Sequence, residues 1–127
     1  MSLILVVEDD PKSLKLTCDL LQIADYNIIS AVDGQQAVEI ARTSRPNLIL
    51  MDIQLPTISG LEATKILKSD PTTESIKIVA LTASAMKEDE QHVFEAGCDG
   101  YISKPIEIHK FLDKVRKYLA IKEEMVL

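Results

Sequence analysis

The stretch NLILMD, Asn47–Asp52, decides the fold of this chain, because it is apolar nearly throughout and ends on a carboxylate. A strand with one solvated face would alternate apolar and polar residues, whereas this stretch has only apolar residues from Leu48 to Met51. The pattern predicts a strand over Asn47–Met51 that is covered on both faces, as in a parallel sheet. An apolar residue would pack better at such a strand end, which marks Asp52 as a candidate functional residue.

Strand and helix patterns alternate along the rest of the chain. Four further runs of apolar or β-branched residues predict strands: Leu3–Val7, Asn27–Val32, Ile76–Leu81 and the weaker Gly100–Ser103. Apolar residues at helical spacing fill the gaps, and the clearest stripe comprises Ile108, Phe111, Leu112, Val115 and Leu119. This alternation predicts right-handed crossovers and a parallel sheet with helices on both faces.

Several expected helix ends carry suitable cap residues. Asp10 can cap the first helix, with Pro11 at its first position, and Ser59 can cap the third helix. Pro46 closes the second helix, and Gly97 ends the fourth. The few residues after Leu119 are expected to fray.

Length and charge exclude several classes of protein. A chain of 127 residues is long enough for one domain and too short for two. Its 14 basic and 20 acidic side chains give a formal net charge of −6, opposite to the basic footprint of nucleic-acid-binding domains. The longest purely apolar run, Leu3–Val7, is far shorter than the ~20 residues of a membrane-spanning helix. Cys18 and Cys98 are isolated, so we expect a cytoplasmic protein without disulfides.

Ligands of open parallel sheets bind beyond the carboxyl ends of the strands, so residues at those ends are candidates for chemistry. They are acidic, hydroxyl-bearing or basic: Glu8, Asp9, Asp10, Asp52, Thr82 and Lys104. Clustered carboxylates repel one another unless a cation joins them, and Mg²⁺ binds one or two carboxylates together with phosphate oxygens. With Lys104 as a second positive charge and Thr82 as a hydrogen-bond donor, the set predicts phosphoryl transfer onto a carboxylate.

Each of these residues also has a simpler interpretation. Asp10 is first of all a helix cap, and Glu8 and Asp9 could be solvated loop residues. Thr82 is ordinary for a strand end, and a single lysine such as Lys104 is most often a surface residue. Their joint occurrence at the ends of different strands favours a functional site.

Four motifs, in this order, resemble the receiver domains of two-component response regulators: Val6–Asp10, Met51–Gly60, Leu81–Ala83 and Lys104-Pro105. The chain looks most like the DivK-type single-domain regulators. The resemblance implies a single receiver domain over residues 1–127 with a core at about 3–119. It also implies an α/β, flavodoxin-like (βα)5 three-layer sandwich with a five-stranded parallel sheet of order 2-1-3-4-5.

The resemblance implies a role for the strand-end residues. Asp52 would accept a phosphoryl group from a phosphohistidine on a sensor histidine kinase or histidine phosphotransfer protein. Asp9, Asp52 and the backbone carbonyl of Gln54 would bind Mg²⁺ directly, with Glu8 acting through a metal-bound water. Lys104 would pair with the phosphoryl oxygens. The protein would be a signalling switch rather than an enzyme, its only chemistry being its own phosphorylation and dephosphorylation.

The resemblance also implies how partners read the phosphorylated state. Thr82 would move toward the phosphoryl group, Tyr101 would change rotamer in step, and the Lys104–Pro105 peptide would be cis. A protein effector would bind the face formed by the fourth helix, fifth strand and fifth helix, near Met86, Tyr101 and Ile106. No nucleic-acid or membrane partner is expected.

Small departures from the family pattern occur near the site. Glu8 stands where many members have Asp, which lengthens the reach of the carboxylate, and Ser59 replaces a common Asp before Gly60. Gln54 and Ser84 resemble positions that tune the lifetime of the phosphoryl group in the family.

Other interpretations stay open from the residues. A flavin-binding protein would need a Ser/Thr/Gly-rich loop after the first strand, where Glu8 and Asp9 stand. A phosphatase of the haloacid dehalogenase class would need a second Asp where Gln54 stands. A non-phosphorylated interaction module, or a receiver excised from a hybrid histidine kinase or a larger regulator, would share the same fold.

Overall fold

The structure, a computed structural model, describes residues 2–83 and 87–124, and the expectations for Ser84 and Met86 fall outside them. Strands and helices alternate throughout these residues. The strands are β1 (Leu3–Val7), β2 (Asn27–Ala31), β3 (Leu48–Asp52), β4 (Lys77–Thr82) and β5 (Gly100–Ser103). The helices are α1 (Pro11–Ile23), α2 (Gly34–Ser44), α3 (Gly60–Ser69), α4 (Lys87–Glu95) and α5 (Ile108–Glu124).

The strands form one parallel sheet of order β2-β1-β3-β4-β5, which confirms the predicted topology. In its centre Leu5 of β1 lies beside Ile49 of β3, and Ile49 lies beside Ile78 of β4. After β2 the chain therefore crosses over β1, and β3 pairs with the other side of β1. The strand order reverses at this point, which places the ends of β1 and β3 next to each other.

The core is divided by the sheet into two layers. On one side Leu5 and Ile49 pack with α2, α3 and α4, and on the other Ile4 and Leu50 pack with α1 and α5. Because successive side chains of a strand point to opposite faces, a strand covered by helices on both sides needs apolar residues at every position. This arrangement is the physical reason for the unbroken apolar run in β3.

The helix ends agree with the predicted caps. Asp10 accepts a hydrogen bond from the Ser13 amide at 3.1 Å, and Ser59 accepts one from the Glu62 amide at 3.2 Å. Gly97 has a φ of 107°, a left-handed conformation that favours glycine.

The structure moves several predicted boundaries. The strand predicted at Asn27–Val32 ends at Ala31, and both β3 and β4 run one residue beyond their predicted ends, to Asp52 and Thr82. Backbone pairing with neighbouring strands continues past the apolar run, since it does not depend on side-chain polarity. The helix expected to fray after Leu119 continues to Glu124, through residues that favour helices. None of the helices in the described residues is long and apolar enough to cross a membrane.

Candidate functional site

The predicted site residues come together at the carboxyl edge of the sheet. Asp52 ends β3 and Thr82 ends β4, while Glu8 directly follows β1 and Lys104 directly follows β5. Because all these strands are parallel, their ends open onto one cavity of about 550 Å³. The predicted residues that line it are Glu8, Asp9, Asp10, Asp52, Gln54, Thr82 and Lys104.

Three carboxylates at this edge can share a cation. One oxygen from each of Glu8, Asp9 and Asp52 lies within 4.8 Å of the others. Glu8 is only 2 % exposed and Asp52 only 7 %, whereas Asp9 faces solvent. The expectation that Glu8 is a solvated loop residue is therefore wrong, because the end of β1 is covered. Oxygen donors in this arrangement fit a hard divalent ion such as Mg²⁺.

Lys104 provides the positive charge at this cluster. Its Nζ lies 2.6 Å from Glu8 Oε1 and 3.6 Å from Asp52 Oδ2. Burial raises the pKa of Glu8, and the neighbouring Asp52 raises it further, against the opposing effect of Lys104. Burial alone would lower the pKa of Lys104, but the hydrogen bond to Glu8 and the charge of Asp52 outweigh it and raise that pKa. Lys104 is therefore held in its charged form, and it is not the solvated surface residue of the simpler interpretation.

The loop after Asp52 is tied closely to the carboxylate that it follows. The Gln54 amide donates a hydrogen bond to Asp52 Oδ1 at 3.1 Å, and the Gly60 amide donates one to the Ile53 carbonyl at 2.9 Å. Gly60 lies so near that a Cβ there would overlap the carbonyl oxygen of Asp52. The first residue of α3 is thus packed directly against the Asp52 peptide, a role of Gly60 that the sequence analysis missed. A glycine at the first position of a helix is the signal that could have indicated it.

Thr82 and Lys104 are linked through the backbone. The Lys104 amide donates a hydrogen bond to the Thr82 carbonyl at 2.7 Å, and the Lys104–Pro105 peptide bond is cis, as the resemblance implies. Thr82 is largely buried at the cavity wall. A movement of the β4 end can therefore be passed to the neighbouring end of β5.

Tyr101 lies on β5, outside the set of described residues that line the cavity. Its ring meets Phe94 of α4 edge-on, with 6.2 Å between the ring centroids, and Lys114 Nζ of α5 lies 5.8 Å from its centroid. The pKa of the Tyr101 hydroxyl is raised, mainly by its hydrogen bond to Glu90. Glu90 was missed by the sequence analysis, and no sequence signal pairs it with Tyr101.

Other polar residues keep structural roles. Cys98 is buried with its Sγ 3.8 Å from Thr64 Oγ1, and burial raises the pKa of its thiol to about 11. His92 and His109 are exposed on helices. Asp10 acts as the cap of α1 at the rim of the cavity.

Comparison with known proteins agrees with this fold and this site. Residues 4–116 match the family model described as "Response regulator receiver domain". The polar-differentiation response regulator DivK of Brucella anthropi is 46 % identical over 116 residues, which cover 91 % of this chain and 94 % of that protein. A putative response regulator from Chloroflexus aurantiacus superposes with a TM-score of 0.90 at 28 % identity, covering 94 % of this chain and 98 % of that one.

A further solved relative carries a metal. The receiver domain of a sensor histidine kinase from Pseudomonas aeruginosa, described with magnesium coordinated in its active-site cleft, has a TM-score of 0.88 and 30 % identity. The match covers 94 % of this chain and 98 % of that one. These likenesses decide against the flavin-binding and haloacid dehalogenase interpretations. This chain belongs to the receiver domains of two-component response regulators, and it is similar to single-domain regulators of the DivK type.

Proposed function

We propose that Asp52 of this receiver accepts a phosphoryl group from a phosphohistidine on a sensor histidine kinase or a histidine phosphotransfer protein. The observation that carries the proposal is the meeting of three carboxylates and Lys104 in one cavity at the carboxyl edge of the sheet. Asp52 has both kinds of charge beside it, since its carboxylate neighbours those of Glu8 and Asp9 and lies 3.6 Å from the Lys104 ammonium.

In the proposed transfer, an Asp52 carboxylate oxygen forms a bond to phosphorus while the phosphorus–nitrogen bond of the phosphohistidine breaks. The electron pair of that bond stays on the imidazole, and Asp52 becomes an acyl phosphate. The Gln54 amide holds one Asp52 oxygen and so orients the carboxylate. Lys104 would pair with the phosphoryl oxygens as they arrive.

Mg²⁺ is the metal that we propose for the carboxylate cluster. Asp9, Asp52 and the Gln54 carbonyl would hold it directly, and Glu8 would act through a water. The bound ion would neutralise charge on the phosphoryl oxygens. The known metal in a related receiver domain supports this choice.

The proposal treats residues 1–127 as a single receiver domain that works in the cytoplasm as a phosphorylated switch rather than as an enzyme. The Thr82 hydroxyl would donate a hydrogen bond to the phosphoryl oxygens. The Tyr101 ring would lose its hydrogen bond to Glu90 and turn inward. The partner would then read a changed face made of α4, β5 and α5, including Tyr101 and Ile106.

Millimolar Mg²⁺ is expected to raise the thermal midpoint of the protein, because the ion relieves repulsion among Glu8, Asp9 and Asp52 and binds only the folded arrangement. The shift should be strongly reduced in Asp9→Ala, which lacks one ligand. Thermal unfolding with and without Mg²⁺ measures both. An equal response of the wild type and Asp9→Ala, or none in either, would count against this metal site.

Thr82→Ala is expected to leave Asp52 competent for phosphorylation while weakening the signal at the α4-β5-α5 face. Without the hydroxyl, no hydrogen bond from residue 82 draws the end of β4 toward the phosphoryl oxygens. The hydrogen bond from the Lys104 amide to the carbonyl of residue 82 then transmits less movement to β5. Amide NMR spectra with and without a beryllofluoride mimic would report the change around Tyr101. The switch is wrong if the wild type shows no shifts near Tyr101, or if Thr82→Ala shows the same shifts.

A further inference from the structure

Three buried groups form a short chain of hydrogen bonds behind the loop that carries Asp52. The Thr64 hydroxyl donates to the Gly60 carbonyl at 2.8 Å, and it accepts from the Cys98 thiol, with 3.8 Å between the sulfur and the oxygen. Burial raises the pKa of the Cys98 thiol to about 11, so the thiol keeps the proton that it donates. Thr64 is fully buried and Cys98 nearly so, and water therefore does not replace either partner.

This chain of hydrogen bonds ends on the glycine that touches the acceptor peptide. The Gly60 amide donates to the Ile53 carbonyl at 2.9 Å, and its Cα lies directly against the Asp52 carbonyl. Gly60 is thus held on two sides, by the acceptor loop through its amide and by Thr64 through its carbonyl. The position of the Asp52 peptide therefore depends on how firmly the first turn of α3 is held.

We propose that Thr64 is a positioning residue for phosphoryl transfer, because its hydroxyl holds Gly60 and the first turn of α3 against the peptide of the acceptor Asp52. This inference rests on the proposed function of Asp52 and adds to the site a residue that lies behind it. Thr64 is not among the described residues that line the cavity, so it acts on the reacting group only through Gly60.

Loss of the hydroxyl alters the geometry of the acceptor. The Gly60 carbonyl then has one donor fewer, and the Cys98 thiol loses its acceptor in apolar surroundings. The loop that follows Asp52 also places the Gln54 amide on the carboxylate, so a shift of α3 changes the direction from which the carboxylate meets phosphorus. Phosphoryl transfer is sensitive to such misplacement, since it requires the attacking oxygen in line with the breaking bond.

The other end of α3 offers a matched control. Thr73 is also fully buried, and its hydroxyl donates to the Leu67 carbonyl of α3 at 2.7 Å. The two threonines therefore resemble each other in burial and in bonding to α3. They differ in position, because Gly60 begins the helix beside Asp52 whereas Leu67 lies near its other end.

Thr64→Val removes the hydroxyl and keeps the branched shape of the side chain. At saturating acetyl phosphate and Mg²⁺, its labelling rate should fall about three- to tenfold, less than the ~100-fold that a full 1 Å misplacement can cost. Thr73→Val should stay within about twofold of wild type, although both variants lower the urea midpoint. Thr64→Ser keeps a hydroxyl and should recover most of the rate. Amide NMR should show displaced Ile53 and Gly60 resonances in Thr64→Val but not in Thr73→Val.

The outcomes separate this inference from the proposed function. Equal labelling rates of Thr64→Val and Thr73→Val, or a Thr64→Ser as slow as Thr64→Val, would overturn the role of the hydroxyl and leave Asp52 as the acceptor. If Thr64→Val does not fold, Cys98→Ala carries the test, because it leaves Thr64 in place and removes the donor that holds it. The Gly60 amide resonance should then move, and an unmoved resonance would overturn the inference. A wild-type protein that is not labelled would contradict both.

Discussion

Asp52→Ala is expected to abolish phosphoryl labelling by acetyl phosphate or by a phosphohistidine donor. A methyl group cannot attack phosphorus, and the nearest remaining carboxylates lie on other elements with different geometry toward the Gln54 amide and Lys104. The fold should persist, because Asp52 lies in a cluster of three carboxylates, and its removal relieves repulsion between like charges there. Intact-mass spectrometry measures labelling, and circular dichroism verifies the fold.

Asp10→Ala is the matched control for this experiment, since it removes another carboxylate that lines the same cavity. Asp10 accepts hydrogen bonds from the amide and hydroxyl of Ser13, so its loss should cost the α1 cap, about 1 kcal/mol of stability. Most of the labelling should remain. Labelling of Asp52→Ala at the wild-type rate would show that another residue is the acceptor.

Gly60→Ala is expected to damage both stability and phosphorylation. The added Cβ would overlap the Asp52 carbonyl oxygen, a backbone atom that cannot rotate away as a side chain would. Overpacking of this kind costs about 1–3 kcal/mol, which exceeds the gain of up to ~1 kcal/mol from replacing glycine by alanine in a helix. Relief of the overlap requires a shift of the peptide that carries the acceptor.

Urea unfolding measures the stability change of Gly60→Ala, and acetyl phosphate labelling measures the effect on the site. Lys65→Ala is the control in the same helix, because Lys65 is exposed and its loss should change stability by no more than about 0.5 kcal/mol. If Gly60→Ala is as stable and as readily labelled as wild type, the close packing of α3 on Asp52 contributes neither to stability nor to phosphorylation.

The fold was largely predictable because the strongest local signals agree with its architecture. A strand covered on both faces requires an uninterrupted apolar run, and Leu48–Met51 provides one. The cap residues Asp10 and Ser59 satisfy backbone amides within one turn, so their sequence signals are local. The convergence of strand-end residues follows from parallel pairing alone, and it brought Asp52 and Lys104 to one cavity as predicted.

Features that depend on long-range contacts could not be predicted in this way. The Glu8–Lys104 pair joins residues 96 positions apart, and nothing local distinguishes a buried Glu8 from an exposed Asp9. The hydrogen bond between Tyr101 and Glu90 depends on how α4 packs beside β5. Pro46 indicates that α2 ends nearby, but it does not indicate the left-handed conformation of the cap residue Arg45, which has a φ of 46°.

The most direct test of the central claim is to locate the phosphoryl group and its metal dependence in the wild-type protein. Borohydride converts an aspartyl phosphate to homoserine, which peptide mass spectrometry identifies by position. After treatment with acetyl phosphate, we expect homoserine at residue 52 when Mg²⁺ is present and a loss of nearly all of it when EDTA removes the metal. Homoserine at Asp9 or elsewhere instead of residue 52, or equal labelling with EDTA, would contradict the account.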